Sequence, residues 1–128
     1  MFRNREKFYI KTLNAYAVQL TVIDGAGKSR VLIDPAPQEV SDALHALTLD
    51  RKTEFFFESG APTDGMIMLC ATDHDPADGS VYAVIQCTDP QPRLYGTRLP
   101  LTAFADLTER FLARTPLSSE GWKIVEEI

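Results

Sequence analysis

"TEFFFES", residues 53–59, decides the fold. The consecutive aromatics Phe55, Phe56 and Phe57 point to alternate sides of an extended chain, so both sides of this strand must be covered. At a sheet edge, such a segment would offer an apolar template for pairing with other chains. It is therefore read as a central strand, with partner strands on either side.

Working back towards the N-terminus, "DPAPQEVSDALHALTLD" (residues 34–50) predicts a helix. Asp34 or a near neighbour caps it, prolines occupy the first turn, and Val40, Leu44 and Leu47 share one face at i, i+4 and i+7. His45 lies beside that face without a second ligand at metal spacing, and reads as a boundary residue. Before this helix, "DGAGKS" (24–29) joins two extended runs as a hairpin, with Gly25 and Gly27 free to take positive φ. The run from Phe8 to Asp24 alternates first as Phe8, Ile10, Thr12 and then, after Asn14, as Tyr16, Val18, Leu20, Val22. That length exceeds an ordinary strand, so a bulge or break is expected near Asn14.

Working forward, "APTDG" turns the chain into "MIMLCAT", residues 66–72. "ATDHDPADGSVYAVI" (71–85) then crowds polar residues between two apolar runs, and "RLYGTRL" (93–99) supplies another strand. Thr102 to Arg114 predicts a second helix, with Phe104, Leu107, Phe111 and Ala103 or Leu112 facing the core and Pro116 closing it. "GWKIVEEI" (121–128) reads as a terminal strand with Trp122, Ile124 and Ile128 on one face. The order β-β-α-β-β-β-β-α-β, without regular βα alternation, predicts one α+β domain over residues 1–128. Its sheet is antiparallel with about seven strands, and its two helices lie on one face.

A chain of 128 residues can bury roughly two-thirds of its unfolded surface and needs neither metal nor disulfide to fold. With 45% hydrophobic and 24% charged residues and no repeat, the composition is that of a globular protein. No stretch has the apolar core of a signal peptide or the ~20 apolar residues of a membrane span, so a cytoplasmic protein away from membranes is expected. Cys70 and Cys87 fit that compartment as reduced core residues.

The formal charge of −5 is unevenly spread. Residues 1–11 carry Arg3, Arg5, Lys7 and Lys11 against Glu6, a local +3 that leaves −8 on the remainder. From Thr53 to Pro92 there is no Lys or Arg, against Glu54, Glu58, Asp64, Asp73, Asp75, Asp78 and Asp89. That block argues against nucleic acid as a partner, because phosphate binding needs a basic face. A basic protein partner would suit it.

Three chemical readings of the motifs fail on position. "GKS" (27–29) resembles the end of a phosphate-binding loop, but the required earlier glycine falls on Val22 and a strand follows where a helix is needed. With Asp73 as position 1 of a calcium loop, position 5 is Ala77, position 6 is Asp78 and position 12 is Val84, where an oxygen ligand, glycine and glutamate belong. Cys70, His74 and Cys87 lack the second close pair of a zinc site. No metal and no cofactor are therefore expected. A Cys70–His74 nucleophile pair near Asp75 is a weaker chemical alternative, since Cys70 sits inside an apolar run. The mechanical reading is an exposed hairpin tip: Pro76 stops the strand, Asp78-Gly79 turns the chain, and three carboxylates gather there.

"LPLTAFADLTERFLARTPLSSEGWKIVEE" (99–127) resembles the closing segment of small bacterial immunity proteins that neutralise toxins of contact-dependent-inhibition and related polymorphic-toxin systems. The matching features are Leu99-Pro100 leading into an amphipathic helix, Phe111-Leu112 at its end, and a final strand bearing Trp122. Where the family pattern has a glycine after the helix, this chain has Thr115-Pro116. The resemblance implies a cytoplasmic α+β protein, not an enzyme, that binds a cognate toxin and blocks its active site. The charge reading adds Glu58, Asp64, Asp73, Asp75 and Asp78 as the expected partner-binding surface, matched to a basic active-site cleft. Two other classes remain: an acidic secretion chaperone, which would generally begin with a helix, and a small-molecule-binding or hydrolytic domain built around Cys70, His74 and Asp75.

Overall fold

A computed structural model describes residues 18–63, 66–87, 93–115, 117–118 and 120–127. The described strands are β1 (Val18–Ile23), β2 (Ser29–Ile33), β3 (Glu54–Thr63), β4 (Met66–Asp75), β5 (Ser80–Cys87), β6 (Arg93–Pro100) and β7 (Lys123–Glu127). The helices are α1 (Pro37–Leu49), between β2 and β3, and α2 (Leu101–Leu112), between β6 and β7. All seven strands form one antiparallel sheet in the order β2-β1-β3-β4-β5-β6-β7, as the α+β reading expects. The expected strand character of residues 8–17, the break near Asn14, Pro116 as a helix stop and Ile128 lie outside the described residues.

The central position of β3 follows from its aromatics. Phe55 and Phe57 are fully buried on the face carrying the helices, and Phe56, on the other face, is 4% exposed. Across β1, β3, β4 and β5 the helix face continues as Leu20, Leu69, Ala71, Ala83 and Ile85, all within one core cluster. The small residues Ala71 and Ala83 lie side by side, and Phe104 packs edge-on to Phe55 at 5.4 Å. Helix α1 packs on β3 and β4, and α2 on β4, β5 and β6, so the two helices form a single layer.

Local chemistry decides how one end of each helix is closed. The N-cap of α1 is Ala36, whose backbone N–H donates to Glu39 Oε1 at 2.9 Å, while Asp34 serves another purpose. Its carboxylate accepts the Val18 N–H at 2.9 Å, and its own N–H donates to the Val18 carbonyl, so Asp34 fastens the chain after β2 to the start of β1. At the end of α2 the left-handed position falls on Arg114 (φ 57), one residue ahead of the Thr115-Pro116 pair where a glycine is missing. The Arg114 and Thr115 N–H groups close the helix by donating to the Phe111 and Arg110 carbonyls. Phe111 is buried as expected, but Trp122 is only half-buried at the margin of the core.

Replacing Phe104 with alanine removes the ring that packs on Phe55 and leaves a cavity beneath α2. The expected loss in urea unfolding is about 3–5 kcal/mol. Leu49→Ala, at a side chain 73% exposed, is expected to change stability by less than about 0.5 kcal/mol.

Candidate functional site: a braced acidic tip

One end of the sheet gathers the turn between β1 and β2, the loop from α1 to β3, the turn between β4 and β5, and the junction from β6 to α2. This follows from the pairing of Ile23 with Glu54, Phe55 with Ala71, and Ser80 with both Asp75 and Pro100. Asp73, Asp75 and Asp78 all lie at this end.

Asp73 is the structural key to the tip. The three-residue step from Thr72 to Asp75 on β4 spans the two-residue step from Tyr82 to Ser80 on β5, so β4 carries one extra residue. The bulge places Asp73 at φ 56, a left-handed conformation that aspartate tolerates better than most residues. The kink turns its carboxylate towards two arginines. Arg51 Nε donates to Oδ1 at 2.8 Å, and Arg98 donates to Oδ2 at 2.5 Å. Arg98 also donates to the Asp73 carbonyl at 3.0 Å and to Ser80 Oγ at 2.9 Å, while the Asp73 N–H donates to the Arg51 carbonyl at 3.2 Å. One residue thus ties β4 to the α1–β3 loop and, across β5, to β6.

The hydrogen bond from Arg51, and with it the charges of Arg51 and Arg98, holds the Asp73 carboxyl below the usual carboxylate range. The same contact pushes the Arg51 guanidinium up. Asp73 is therefore not a free negative charge. The basic residues missing from the sequence block arrive from just outside it, Arg51 on one side and Arg98 on the other.

Asp75 and Asp78 close the turn itself. Asp75 Oδ1 accepts the Ala77 N–H at 2.9 Å, and Asp78 Oδ1 accepts the Ser80 N–H at 2.9 Å. Hydrogen bonds from Ser80 also lower the Asp78 carboxyl. Gly79, at φ 72, supplies the left-handed residue that the turn needs, and its carbonyl accepts the Leu101 N–H at 2.9 Å, joining the tip to the first residue of α2. Asp78 is exposed and Asp75 half-buried. The tip is thus held through backbone and side chains from three neighbouring segments.

The other two expected surface residues are not part of this tip. Glu58 lies on the helix-free face of β3, paired with Gln19 and Met68, about 17 Å along the strand from the tip end. Asp64 lies outside the described residues. The expected acidic surface thus resolves into a tip of three residues, one of them neutralised, and a separate carboxylate on the sheet.

The chemical alternative meets a geometric obstacle. Cys70 and His74 are separated by about 12 Å of extended strand, beyond the reach of a nucleophile–base hydrogen bond. Cys70 and Cys87 lie on opposite faces of the sheet, and burial pushes the Cys87 thiol up. Among the described residues, no three His, Cys, Asp or Glu side chains converge as a metal site would require, and no helix is long and apolar enough to cross a membrane. Compared with protein-family models, curated proteins and solved structures, the chain matches none of them.

The lowered Asp73 carboxyl links the clasp to pH. Ionised Asp73 contributes stability that is complete above the ordinary aspartate value of about 3.9 and is lost as pH falls through its lower folded-state value. Urea unfolding of the native protein and Asp73→Asn is expected to show a stability gap at pH 5 that narrows steadily below about pH 4. A gap independent of pH would mean that the ion pairs contribute nothing.

Proposed function

We propose that this protein binds another protein through the Asp75–Asp78 tip, and that it is an immunity protein whose partner is a toxin domain with a basic substrate cleft. The observation that carries this reading is the clasp of Arg51, Asp73 and Arg98, which presents Asp75 and Asp78 on a fixed protrusion. A loop already ordered before binding loses little conformational freedom on docking, so more of its contact energy appears as affinity. Carboxylates at a protruding tip also steer a basic partner during approach.

The resemblance of residues 99–127 to immunity proteins gives the partner its class. Those residues form the end of β6, α2 and β7, and the backbone bond from Leu101 to Gly79 connects this segment directly to the tip. In this reading the tip enters the toxin's cleft, meets the cationic groups that would hold substrate, and excludes substrate by occupying the same space.

The variants that test the reading must leave the turn intact. Asp75→Asn with Asp78→Asn keeps an acceptor oxygen for the Ala77 and Ser80 N–H groups while removing both charges. Against a toxin domain encoded by the neighbouring gene, the double variant is expected to associate about tenfold more slowly at low salt, with the difference vanishing at high salt. An unchanged association rate and salt dependence, or no binding to that domain by the native protein, would refute the proposal.

A further inference from the structure

The two edges of the sheet are built differently. At one edge β7 meets β6 through a bulge beside Leu94 and Tyr95, and it ends in Glu126 and Glu127. Bulges and charges of this kind blunt an edge against further pairing. At the other edge β2 pairs with β1 in unbroken register from Ser29 to Ile33, without proline or bulge. Among the described residues, no strand pairs with its outer side. The hydrogen bonds at the two ends of this hairpin fix which groups point there. The Asp24 N–H donates to the Lys28 carbonyl at 2.9 Å, and the Asp34 N–H to the Val18 carbonyl at 2.7 Å. Bonded pairs alternate along an antiparallel ladder, so Val22–Arg30 and Leu20–Leu32 are the bonded pairs between them. Ser29, Val31 and Ile33 therefore turn their N–H and C=O groups outward. Val31 and Ile33 are also 42% and 48% exposed, on the helix-free face beside Thr21 and Gln19.

We propose that β2 pairs antiparallel with β2 of a second copy of this chain, joining the two sheets into one. The residues of the strand select both the occupant and the register. With Val31 opposite Val31 on the two-fold axis, Ser29 faces Ile33 of the other copy, and all the outward groups of Ser29, Val31 and Ile33 are hydrogen-bonded. Exposed Lys28 then lies opposite exposed Asp34 at both ends of the junction, so opposite charges meet there. Asp34 keeps an oxygen for this contact, because the Val18 N–H takes only Oδ1. Moving the axis to Arg30 would set two guanidinium groups against each other. Moving it to Leu32 would bring Pro35, which has no N–H, opposite Ser29. In the Val31 register, Val31 and Ile33 of both copies form one apolar strip across the junction. Antiparallel pairing also sends the two β1–β2 turns to opposite ends of the joined sheet, and the acidic tips go with them. Each copy thus keeps its Asp75–Asp78 tip free for a different protein.

Sedimentation equilibrium and amide hydrogen exchange, both on the full chain, test the pairing together. The expected result is a mass that doubles as concentration rises towards about 1 mM, the range in which a short interface associates. Over the same range, exchange of the Val31 and Ile33 amides is expected to slow about tenfold, while that of Arg30 and Leu32, already bonded to β1, changes little. Val31→Lys sets two ammonium groups against each other at the axis, on a side chain exposed in the single copy, and is expected to weaken association about tenfold or more. A mass that stays that of one chain throughout overturns the proposal. So does a dimer whose Val31 amide exchanges as fast as in the single chain, or one that Val31→Lys leaves equally tight. Exchange in the native chain stands by itself should the variant not fold.

Discussion

The contact on which the rest depends is the meeting of two aromatic pairs, Phe55 and Phe57 on β3 with Phe104 and Phe111 on α2. Phe55 meets Phe104 edge-on, and Phe57 stacks on Phe111 with the planes 2° apart, both at 5.4 Å. Each buried ring contributes about 1.5–3 kcal/mol by burial alone, and each favourable ring pair adds about 0.5–1.5 kcal/mol. Residues spaced two apart on a strand and seven apart on a helix thereby set where α2 crosses the sheet. Once α2 is fixed, its N-terminal end at Leu101 is fixed too, and that end holds the Gly79 carbonyl of the tip. Core packing therefore reaches the candidate site through one backbone hydrogen bond.

A second constraint acts at the tip through Asp73. The inserted residue in β4 would ordinarily weaken a hairpin by interrupting its ladder. Here it aims a carboxylate at two guanidinium groups that come from segments far apart in sequence. Exposed ion pairs of this kind add little stability individually, so their value is geometric. They fix the direction in which the hairpin leaves the sheet, which a turn closed only by Asp75 and Asp78 could not do.

What the sequence made legible was whatever depends on burial periodicity. The three phenylalanines of "TEFFFES" located the central strand, and the helix faces followed from Val40, Leu47, Phe104 and Phe111. What it concealed depends on pairing across distance. The absence of basic residues from 53 to 92 suggested an unopposed acidic patch, yet Arg51 and Arg98 flank that window and fold back onto it. Asp34 looked like a helix cap because caps are local, but its partner is Val18, sixteen residues earlier. Cys70 and His74 looked close because the turn of a hairpin could bring them near Asp75; along the strand that holds both, the four-residue step keeps the side chains apart. The left-handed residue after α2 was hidden for a different reason, since Arg114 is not the residue type that ordinarily marks it.

The same carboxylate type therefore carries two kinds of work at this end of the molecule. Asp24, Asp50, Asp75 and Asp78 each accept a backbone N–H two residues ahead, closing a turn that would otherwise leave its donor to solvent. A turn closed by a carboxylate keeps its negative charge near the surface, so the group that shapes the turn also sets the local charge. Asp73 differs because its charge is consumed internally by two arginines. That consumption is what allows Asp75 and Asp78 to face outward in a fixed position: the acid given up at the base of the hairpin orients the two that remain at its end.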